Sequence, residues 1–387
     1  MRVAICGFGF SGATLPLGKS LAQFDYITGV DCYYFIYKTK KAWSIESLDY
    51  ENESFLLGIP HKIRKNNRIY GYLPNNVNIY LVPLCPNGPF WFRIISNVLN
   101  KLIVVIFALR LLLCKYSFIN IVAHTELEYL LIKILHPIKK IIVSVHEIYE
   151  TLNEKECINK KLLELSKNPI DIVFHSDNVR NLFEKLLRPH KCRCHTIPFS
   201  NFESYSSFKD DSICFNIKNY ILFIGSIQPY KGLSLFQKVL DDNALTDVKV
   251  VIAGKGFVPE LDYFRNRKNT LVLNRYISNQ ELVSLIRKSL FVVCPYIAAS
   301  QTGIAPTAFV FHKPLLATDV GAFNEVIKDG ENGFLVNPNS IDLFRERLLT
   351  LYRNQELRDH MSKNIENDQK DCWLHIAAKY IDIYKNF

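Results

Sequence analysis

The stretch Gln301-Thr302-Gly303-Ile304-Ala305-Pro306 lies between two apolar runs, residues 290–295 and 314–318. Both runs have the length and composition of buried strands, and the polar turn between them is followed by the start of a helix. A helix that starts after a strand presents free backbone N–H groups, which attract an anion. The stretch therefore predicts a parallel α/β sheet with an anion site at this strand end.

A second predicted strand end lies upstream, where residues 221–225 are followed by Pro229-Tyr230-Lys231-Gly232. The carboxyl ends of parallel strands meet at one edge of a sheet, so the amides of one turn and the ammonium of Lys231 can converge on one ligand. A diphosphate is an anion that suits such a set of donors. We therefore predict a binding site for a nucleotide-sugar.

The composition fits a large protein with an anionic partner. The chain has 387 residues, a formal net charge of +10 and an apolar fraction of 49%, which is enough for two buried cores. The positive charges are scattered, so a generally basic protein without such a partner remains an alternative. No signal-peptide pattern begins the sequence and the ten cysteines are dispersed, so we expect a cytoplasmic protein with free thiols.

One cysteine cluster has two interpretations. His190-Lys191-Cys192-Arg193-Cys194-His195 has residue types that bind zinc, but no second ligand pair follows at zinc-finger spacing. We therefore expect an ordinary strand here and no metal.

The segment 91–115 is predicted to be one long helix that carries Arg93, Lys101, Arg110 and Lys115. Its most apolar part is shorter than the roughly 20 residues of a membrane span. Two alternatives remain, a core helix of a soluble domain and a cationic helix that enters a membrane interface.

Strands and helices alternate along the chain, which predicts parallel sheets covered by helices on both faces. The predicted strands lie near 2–6, 32–37, 78–82, 119–123, 140–145, 171–175, 220–225, 247–253, 270–273, 290–294, 314–318 and 333–336. The segment 198–207 is rich in serine and lacks periodicity, so we predict a linker there. The expected fold is α/β, with two Rossmann-like doubly wound domains facing a cleft. They are residues 1–200 with a C-terminal helix at 370–387, and residues 201–369.

The loop from Gly7 to Gly12 matches the Gly-x-Gly-x-x-Gly pattern of dinucleotide-binding sites. Such sites also place an acid at the carboxyl end of the second strand, where it binds the ribose. Asp31 has suitable spacing, but it begins the strand-like run 32–36 and does not end it. An NAD(P)-dependent oxidoreductase therefore remains a further alternative, and otherwise the glycines let the loop pass close to a substrate.

The region from about 220 to 364 resembles the C-terminal domain of GT-B fold glycosyltransferases, family 4 (group 1). The motifs that carry the resemblance, in order, are Phe223-Ile224-Gly225 with Lys231-Gly232, and residues 250–256, 272–278, 292–295, 313–321, 324–327 and 329–336. The N-terminal half resembles the divergent acceptor domain more thinly, through Gly7–Gly12 and residues 121–124, 143–147 and 174–176.

Three positions depart from the family's usual pattern. The paired glutamates of its phosphate loop fall at Ala299 and Thr307, and its usual arginine falls at Ser226. The run from Ser300 to Gly303 is instead similar to a subset of the family that has Thr-Gln-Ser-Gly there. These departures leave open a catalytically inactive GT-B module that binds a glycan or acts as a scaffold.

The resemblance assigns roles to particular residues. It implies that Lys231 neutralises the donor diphosphate and that His146 contacts the reacting sugar; these two are the expected catalytic residues. The other residues expected to bind the donor are Gly225, Gly254, Lys255, Tyr276, Gln301, Thr302, Gly303 and Glu325. Gly9, Gly12 and His124 are expected in an acceptor-side loop region.

The resemblance also implies a retaining, metal-independent hexosyltransferase-like enzyme without a cofactor. Its donor would be UDP- or GDP-linked, and its acceptor a glycan or lipid-linked glycan of surface polysaccharide biosynthesis, such as lipopolysaccharide or capsule. We expect binding to an anionic membrane surface at the inner face of the cell membrane and no binding to nucleic acid.

Overall fold

The computed structural model describes residues 1–7, 11–37, 56–63, 68–86, 89–123, 125–145, 160–187, 190–198, 200–208, 217–299, 303–370 and 372–386. The chain divides into two compact units: unit 1 comprises residues 1–200 and 371–387, and unit 2 comprises residues 201–370. Each unit is built on a predominantly parallel sheet. The predicted fold class, α/β with two Rossmann-like domains, is confirmed.

Unit 1 contains an eight-stranded sheet. Its strands are β1 (Arg2–Gly7), β2 (Gly29–Tyr37), β3 (His61–Lys62), β4 (Val77–Leu84), β5 (Phe118–Ala123), β6 (Ile141–Val145), β7 (Asp171–Phe174) and β8 (Arg193–Thr196). Its helices include α1 (Ser11–Leu21), α2 (Phe90–Leu113), α3 (Glu126–Leu135), α4 (Lys160–Ser166) and α5 (Asp177–Leu186). The order across the sheet is β3-β4-β2-β1-β5-β6-β7-β8, and only the pairing of β3 with β4 is antiparallel among these strands.

Unit 2 contains a six-stranded parallel sheet with the order β11-β10-β9-β12-β13-β14. Its strands are β9 (Tyr220–Ile224), β10 (Val250–Ala253), β11 (Thr270–Leu273), β12 (Ser289–Cys294), β13 (Leu315–Thr318) and β14 (Gly333–Val336). Its helices are α6 (Leu233–Leu240), α7 (Leu261–Asn266), α8 (Asn279–Lys288), α9 (Ile304–Val310), α10 (Phe323–Val326), α11 (Ile341–Arg353) and α12 (Gln355–Asp368). The central strands are buried on both faces, as expected for a sheet covered by helices.

The last helix, α13 (Cys372–Lys385), packs in unit 1 against α1. Its Tyr380 hydroxyl lies 3.1 Å from the hydroxyl of Ser144, and its Tyr384 ring stacks on Phe118 at a centroid distance of 4.4 Å. Buried aromatic rings of this size contribute strongly to packing. The helix that ends the sequence is therefore part of the core of the first unit.

Two local features differ from the sequence-based expectation. The short strand β3 was not predicted, because two residues are too few to show any periodicity. The segment predicted as a linker contains a 3-10 helix, Glu203–Ser207, whose Tyr205 is buried together with Phe208 in the core of unit 2. These two aromatic side chains attach the segment to unit 2, although its polar residues resemble those of a linker.

The strand position of Asp31 argues against a dinucleotide site of the usual kind. Asp31 is the third residue of β2, towards its amino end, and its side chain is fully buried. It accepts hydrogen bonds from the Arg2 guanidinium, the Tyr116 hydroxyl and the Asn78 amide, the last at 2.8 Å. The carboxylate therefore stabilises the sheet and does not lie where a ribose would bind.

We predict that Asp31→Ala lowers the free energy of unfolding by about 3 kcal/mol, because it leaves a buried tyrosine hydroxyl, a half-buried amide and a cation without their acceptor. Urea denaturation measures this change. Nucleotide binding by the folded fraction should be unchanged, whereas a ribose-binding role for Asp31 predicts its loss.

Candidate functional site

The candidate site of unit 2 lies where the order of the strands reverses. From β9 the chain continues outward to β10 and β11, then returns to the other side of β9 as β12 and continues to β13 and β14. Open α/β sheets bind ligands outside the carboxyl ends of their strands at such a switch point. The loops that follow β9 and β12 are therefore the first candidates for a binding site.

Lys231 lies in the loop after β9, at the end of a 3-10 turn, Pro229–Lys231. Its Nζ atom is 3.9 Å from the centroid of the Tyr296 ring, which follows β12, and 5.1 Å from that of the Tyr230 ring. Burial lowers the pKa of Lys231 to about 8. In the part of the chain that the structure describes, no carboxylate pairs with this ammonium. A desolvated cation without an acid is costly, and an anionic ligand would compensate it.

Gly232 makes the contact between these two loops possible. Its backbone has φ of +72°, and a Cβ atom there would lie 1.7 Å from the carbonyl oxygen of Pro295. The Ile297 amide also donates to the Tyr230 carbonyl at 2.8 Å. Any larger residue at 232 would push the two loops apart and would thereby separate Lys231 from Tyr296.

Gly225 and Gly254 follow the neighbouring strands β9 and β10. The Gly225 amide donates to the Ala253 carbonyl at 3.0 Å. Gly254 has φ of +149°, and a Cβ atom there would lie 1.7 Å from the Gly225 carbonyl oxygen. Glycine at 254 therefore keeps the two predicted donor-site loops in direct backbone contact.

The start of α9 follows β12 on the same edge of the sheet. Gly303 precedes the helix, and its carbonyl accepts hydrogen bonds from the amide and the hydroxyl of Thr307, at 3.3 and 2.6 Å. The Thr307 hydroxyl is therefore used inside the helix, at the position where the resembling family has a glutamate. The predicted phosphate ligands Gln301 and Thr302 lie outside the described residues.

The remaining predicted donor-site residues that the structure describes follow β10, β11 and β13 at this edge. Lys255 follows β10 and is exposed, Tyr276 follows β11 and is 38% exposed, and Glu325 is exposed on α10 after β13. The neighbouring Arg275 is engaged elsewhere, since its guanidinium pairs with Glu281 at 2.6 Å. Those predicted donor-site residues that the structure describes thus share one edge of the sheet, with Lys231 at its switch point.

The position of Tyr296 beside Lys231 was not predicted from the sequence. The signal was present, because an aromatic residue directly follows the strand-like run 290–295. Its position over Lys231 depends on β9 and β12 being neighbours, which the sequence pattern alone does not show. Tyr296 is itself buried, and its carbonyl accepts a hydrogen bond from the Thr318 hydroxyl.

The acceptor-side predictions concern unit 1. Gly12 lies in the first turn of α1, just after β1. Gly9, His124 and His146 lie outside the described residues. The strands that precede them, β1, β5 and β6, are neighbours in the sheet and run parallel. The carboxyl ends of these three strands therefore lie at the same edge of the sheet, again beside a reversal of strand order.

The cluster His190, Cys192 and Cys194 lies elsewhere in unit 1, before and within β8. The Cys192 sulfur is 3.9 Å from that of Cys194 and 3.4 Å from the Nδ1 atom of His190. That nitrogen also lies 3.1 Å from the Cys192 carbonyl oxygen. Three ligands are fewer than a closed structural zinc site requires, so the expectation of no metal stays a prediction. The presence of strand β8 agrees with the prediction of an ordinary strand in this segment.

Comparison with known families finds a match to the second unit. Residues 208–368 match the family "Glycosyl transferases group 1". The match covers nearly all of unit 2, including Lys231, Tyr296 and Gly303.

Two curated relatives resemble parts of the chain. An uncharacterized glycosyltransferase of Methanocaldococcus jannaschii is 30% identical over 171 residues, which cover 43% of this chain and 48% of that protein. The phosphatidyl-myo-inositol mannosyltransferase of Mycobacterium leprae is 24% identical over 259 residues, 58% of this chain and 68% of that protein. The chain spans about half the length of the first curated relatives that it matches.

The fold is shared over the full length with solved glycosyltransferase structures. An Escherichia coli structure, described as trehalose-6-phosphate bound with UDP-2-fluoro glucose, superposes with a TM-score of 0.67 at 12% identity. The superposition covers 100% of this chain and 99% of the Escherichia coli chain. This similarity shows the fold alone.

The lowered pKa of Lys231 predicts a pH-dependent affinity for nucleotides. Below pH 8 the ammonium is present, whereas above pH 8 a diphosphate must bind together with a proton. The affinity for UDP should therefore fall by up to about tenfold per pH unit above 8. Calorimetry in two buffers of different ionisation enthalpy measures both the affinity and the proton uptake.

Burial raises the pKa of Cys294 to about 12 and raises the pKa of Tyr296 well above its usual value, so neither of these neighbours of Lys231 titrates in this range. The variant Lys231→Ala should show no proton uptake. An equal uptake by this variant would place the titrating group elsewhere.

Proposed function

We propose that this protein is a retaining glycosyltransferase that moves a sugar from a UDP- or GDP-linked donor to a glycan or lipid-linked glycan. The observation that carries the proposal is the desolvated ammonium of Lys231 at the switch point of a glycosyl transferases group 1 domain. The edge of the sheet also presents the start of α9 and the glycine loops after β9 and β10. These features suit the diphosphate of such a donor.

In the proposed reaction, the bond between the anomeric carbon and the diphosphate oxygen breaks. The acceptor hydroxyl oxygen forms a new bond to that carbon on the same face, and the hydroxyl proton leaves with the diphosphate. The Lys231 ammonium neutralises the charge that grows on the leaving oxygen. Because a protein cation takes this role, the proposed mechanism uses no metal and no cofactor. His146 is proposed to donate a hydrogen bond to the donor sugar.

A lipid-linked acceptor is the favoured class. One relative is named for mannosyl transfer to a phosphatidyl-inositol lipid, and the chain has a net charge of +10, which suits an anionic surface. We propose a role in surface polysaccharide biosynthesis, for example of lipopolysaccharide or capsule. The proposed location is the cytoplasm, at the inner face of the membrane.

A second candidate is a catalytically inactive module of the same fold. Ala299 has no side chain that binds a ribose, and the hydroxyl of Thr307 is used inside α9. Both replace glutamates of the resembling family. Thermal shift with UDP, GDP and NADPH, followed by assays with UDP- and GDP-sugars, separates the candidates. Nucleotide binding without any sugar transfer or hydrolysis supports the inactive module, and stabilisation by NADPH alone supports an oxidoreductase.

We predict that Lys231→Ala weakens nucleotide-sugar binding or turnover by about 2–4 kcal/mol, because it removes one preorganised charge from the diphosphate site. Isothermal titration and steady-state kinetics measure the loss. Lys268→Ala is the matched control, since Lys268 is exposed and precedes β11 at the opposite edge of the sheet. Full activity of the Lys231 variant would contradict the placement of the site.

We predict that His146→Ala lowers kcat more than it lowers nucleotide affinity, because its proposed partner is the sugar at the reacting centre. Steady-state kinetics with a saturating donor, alongside direct binding of UDP, checks this difference. Equal losses in turnover and UDP binding, or loss of the folded state by circular dichroism, would indicate a structural histidine.

A further inference from the structure

The first half of α2 buries polar side chains and exposes apolar ones. The Asn100 side chain accepts from the Cys85 amide at 2.7 Å and donates to the Cys85 carbonyl at 3.2 Å. The Ser96 hydroxyl donates to the Pro86 carbonyl at 3.0 Å. Through these hydrogen bonds, the polar side chains of the helix attach it to the segment that precedes it. The apolar residues are consequently left on the outer side.

The exposed apolar face runs along the whole of α2. Its exposed large apolar side chains are Phe90, Trp91, Phe92, Ile94, Ile95, Val98, Leu99, Leu102, Ile106, Leu109 and Leu113. Trp91 is 77% exposed at one end and Leu113 is 87% exposed at the other. Soluble monomers rarely expose a continuous apolar surface of this length, which spans about 36 Å of helix.

A neighbouring loop extends this surface. Leu56, Leu57 and Ile59 are more than half exposed, and a Cβ atom on Gly58 between them would lie 3.0 Å from Ile103 of α2. The loop therefore lies against the helix. We call the exposed apolar side chains of α2, together with those of residues 56, 57 and 59, the docking face.

The other side of α2 holds the helix on the unit. Ile103, Val104 and Phe107 are buried, and the Phe107 ring packs edge-on against Tyr33 and Phe35 of β2, with centroids 5.1 and 5.2 Å apart. By length and composition alone, the helix is long and apolar enough to cross a membrane. Because Ile103, Val104 and Phe107 pack in the core of unit 1, a helix that lies along a membrane surface fits the structure better than one that crosses a bilayer.

The charge around the docking face favours one type of partner. Residues 54–125 contain no aspartate or glutamate and eight lysines and arginines, although acids make up 37 residues of the whole chain. Arg93, Lys101, Arg110 and Lys115 are exposed on or just after α2. Anionic lipid headgroups attract such cations, and tryptophan is enriched at the membrane interface. A symmetric dimer through this face would instead bring the exposed cations of two copies of α2 close to each other.

We propose that the docking face binds a bilayer that contains anionic lipid, with Trp91 and its apolar neighbours inserted below the headgroups. Arg93, Lys101, Arg110 and Lys115 contact the headgroup phosphates, their aliphatic stems lying along the apolar surface. The inference involves no residue of the donor site, so it does not depend on the proposed transferase activity. A lipid-linked acceptor would be held in the same bilayer.

Vesicle binding of the full chain tests the proposal. We expect co-sedimentation with vesicles of phosphatidylcholine mixed with phosphatidylglycerol, little with phosphatidylcholine alone, and less binding as salt is raised. Replacing the four cations with glutamine should weaken binding about tenfold or more. Trp91→Glu with Ile95→Glu should abolish it, whereas Leu186→Glu, an exposed apolar position on α5, should not.

Fluorescence reports which surface inserts. A Trp43→Phe, Trp373→Phe variant keeps Trp91 as its one tryptophan. Insertion into the bilayer should shift the Trp91 emission to the blue, and brominated lipid should quench it. A variant that keeps only Trp373, which is 6% exposed, should show neither effect. Light scattering of the free protein tests the rival partner. A dimer that Trp91→Glu converts to monomer, equal binding to neutral and anionic vesicles, or no binding to either would each overturn the proposal.

Discussion

The ammonium of Lys231 is partly buried beside two tyrosine rings, without a carboxylate from the described residues to balance it. Removing a cation from water costs free energy, so the loops around it must hold it there. Gly232 permits the close approach of the loops after β9 and β12, and the parallel order of the strands brings those loops together. The candidate donor site depends on this one desolvated charge.

Unit 1 contains a buried charge that, unlike Lys231, is fully hydrogen-bonded within the fold. The carboxylate of Asp31 accepts hydrogen bonds from Arg2, Asn78 and Tyr116, so its acceptor capacity is used within the fold. Such a group stabilises the sheet around it and has little capacity left for a ligand. The contrast between the compensated carboxylate of Asp31 and the uncompensated ammonium of Lys231 supports a structural role for the first and the proposed anion-binding role for the second.

Helix α2 shows why a sequence pattern can leave two interpretations open. It is apolar on nearly all sides, so its periodicity does not indicate which side is buried. The structure combines elements of both alternatives: Phe107 packs in the core against β2, while Trp91 and its neighbours are exposed. The orientation follows from the hydrogen bonds of Asn100 to Cys85, a polar contact that hydrophobicity cannot indicate.

By itself, the sequence determined the two-domain α/β fold, most of the strands and the loops that carry Lys231 and Gly303. These features depend on short apolar runs and on the turn residues that end them, which are local properties of the chain. Only the tertiary structure decided that Tyr296 covers Lys231, that Asp31 is enclosed by Arg2 and Tyr116, and that α2 exposes its apolar face. Each of these depends on which strands and helices become neighbours, and such contacts join residues that are distant in the sequence.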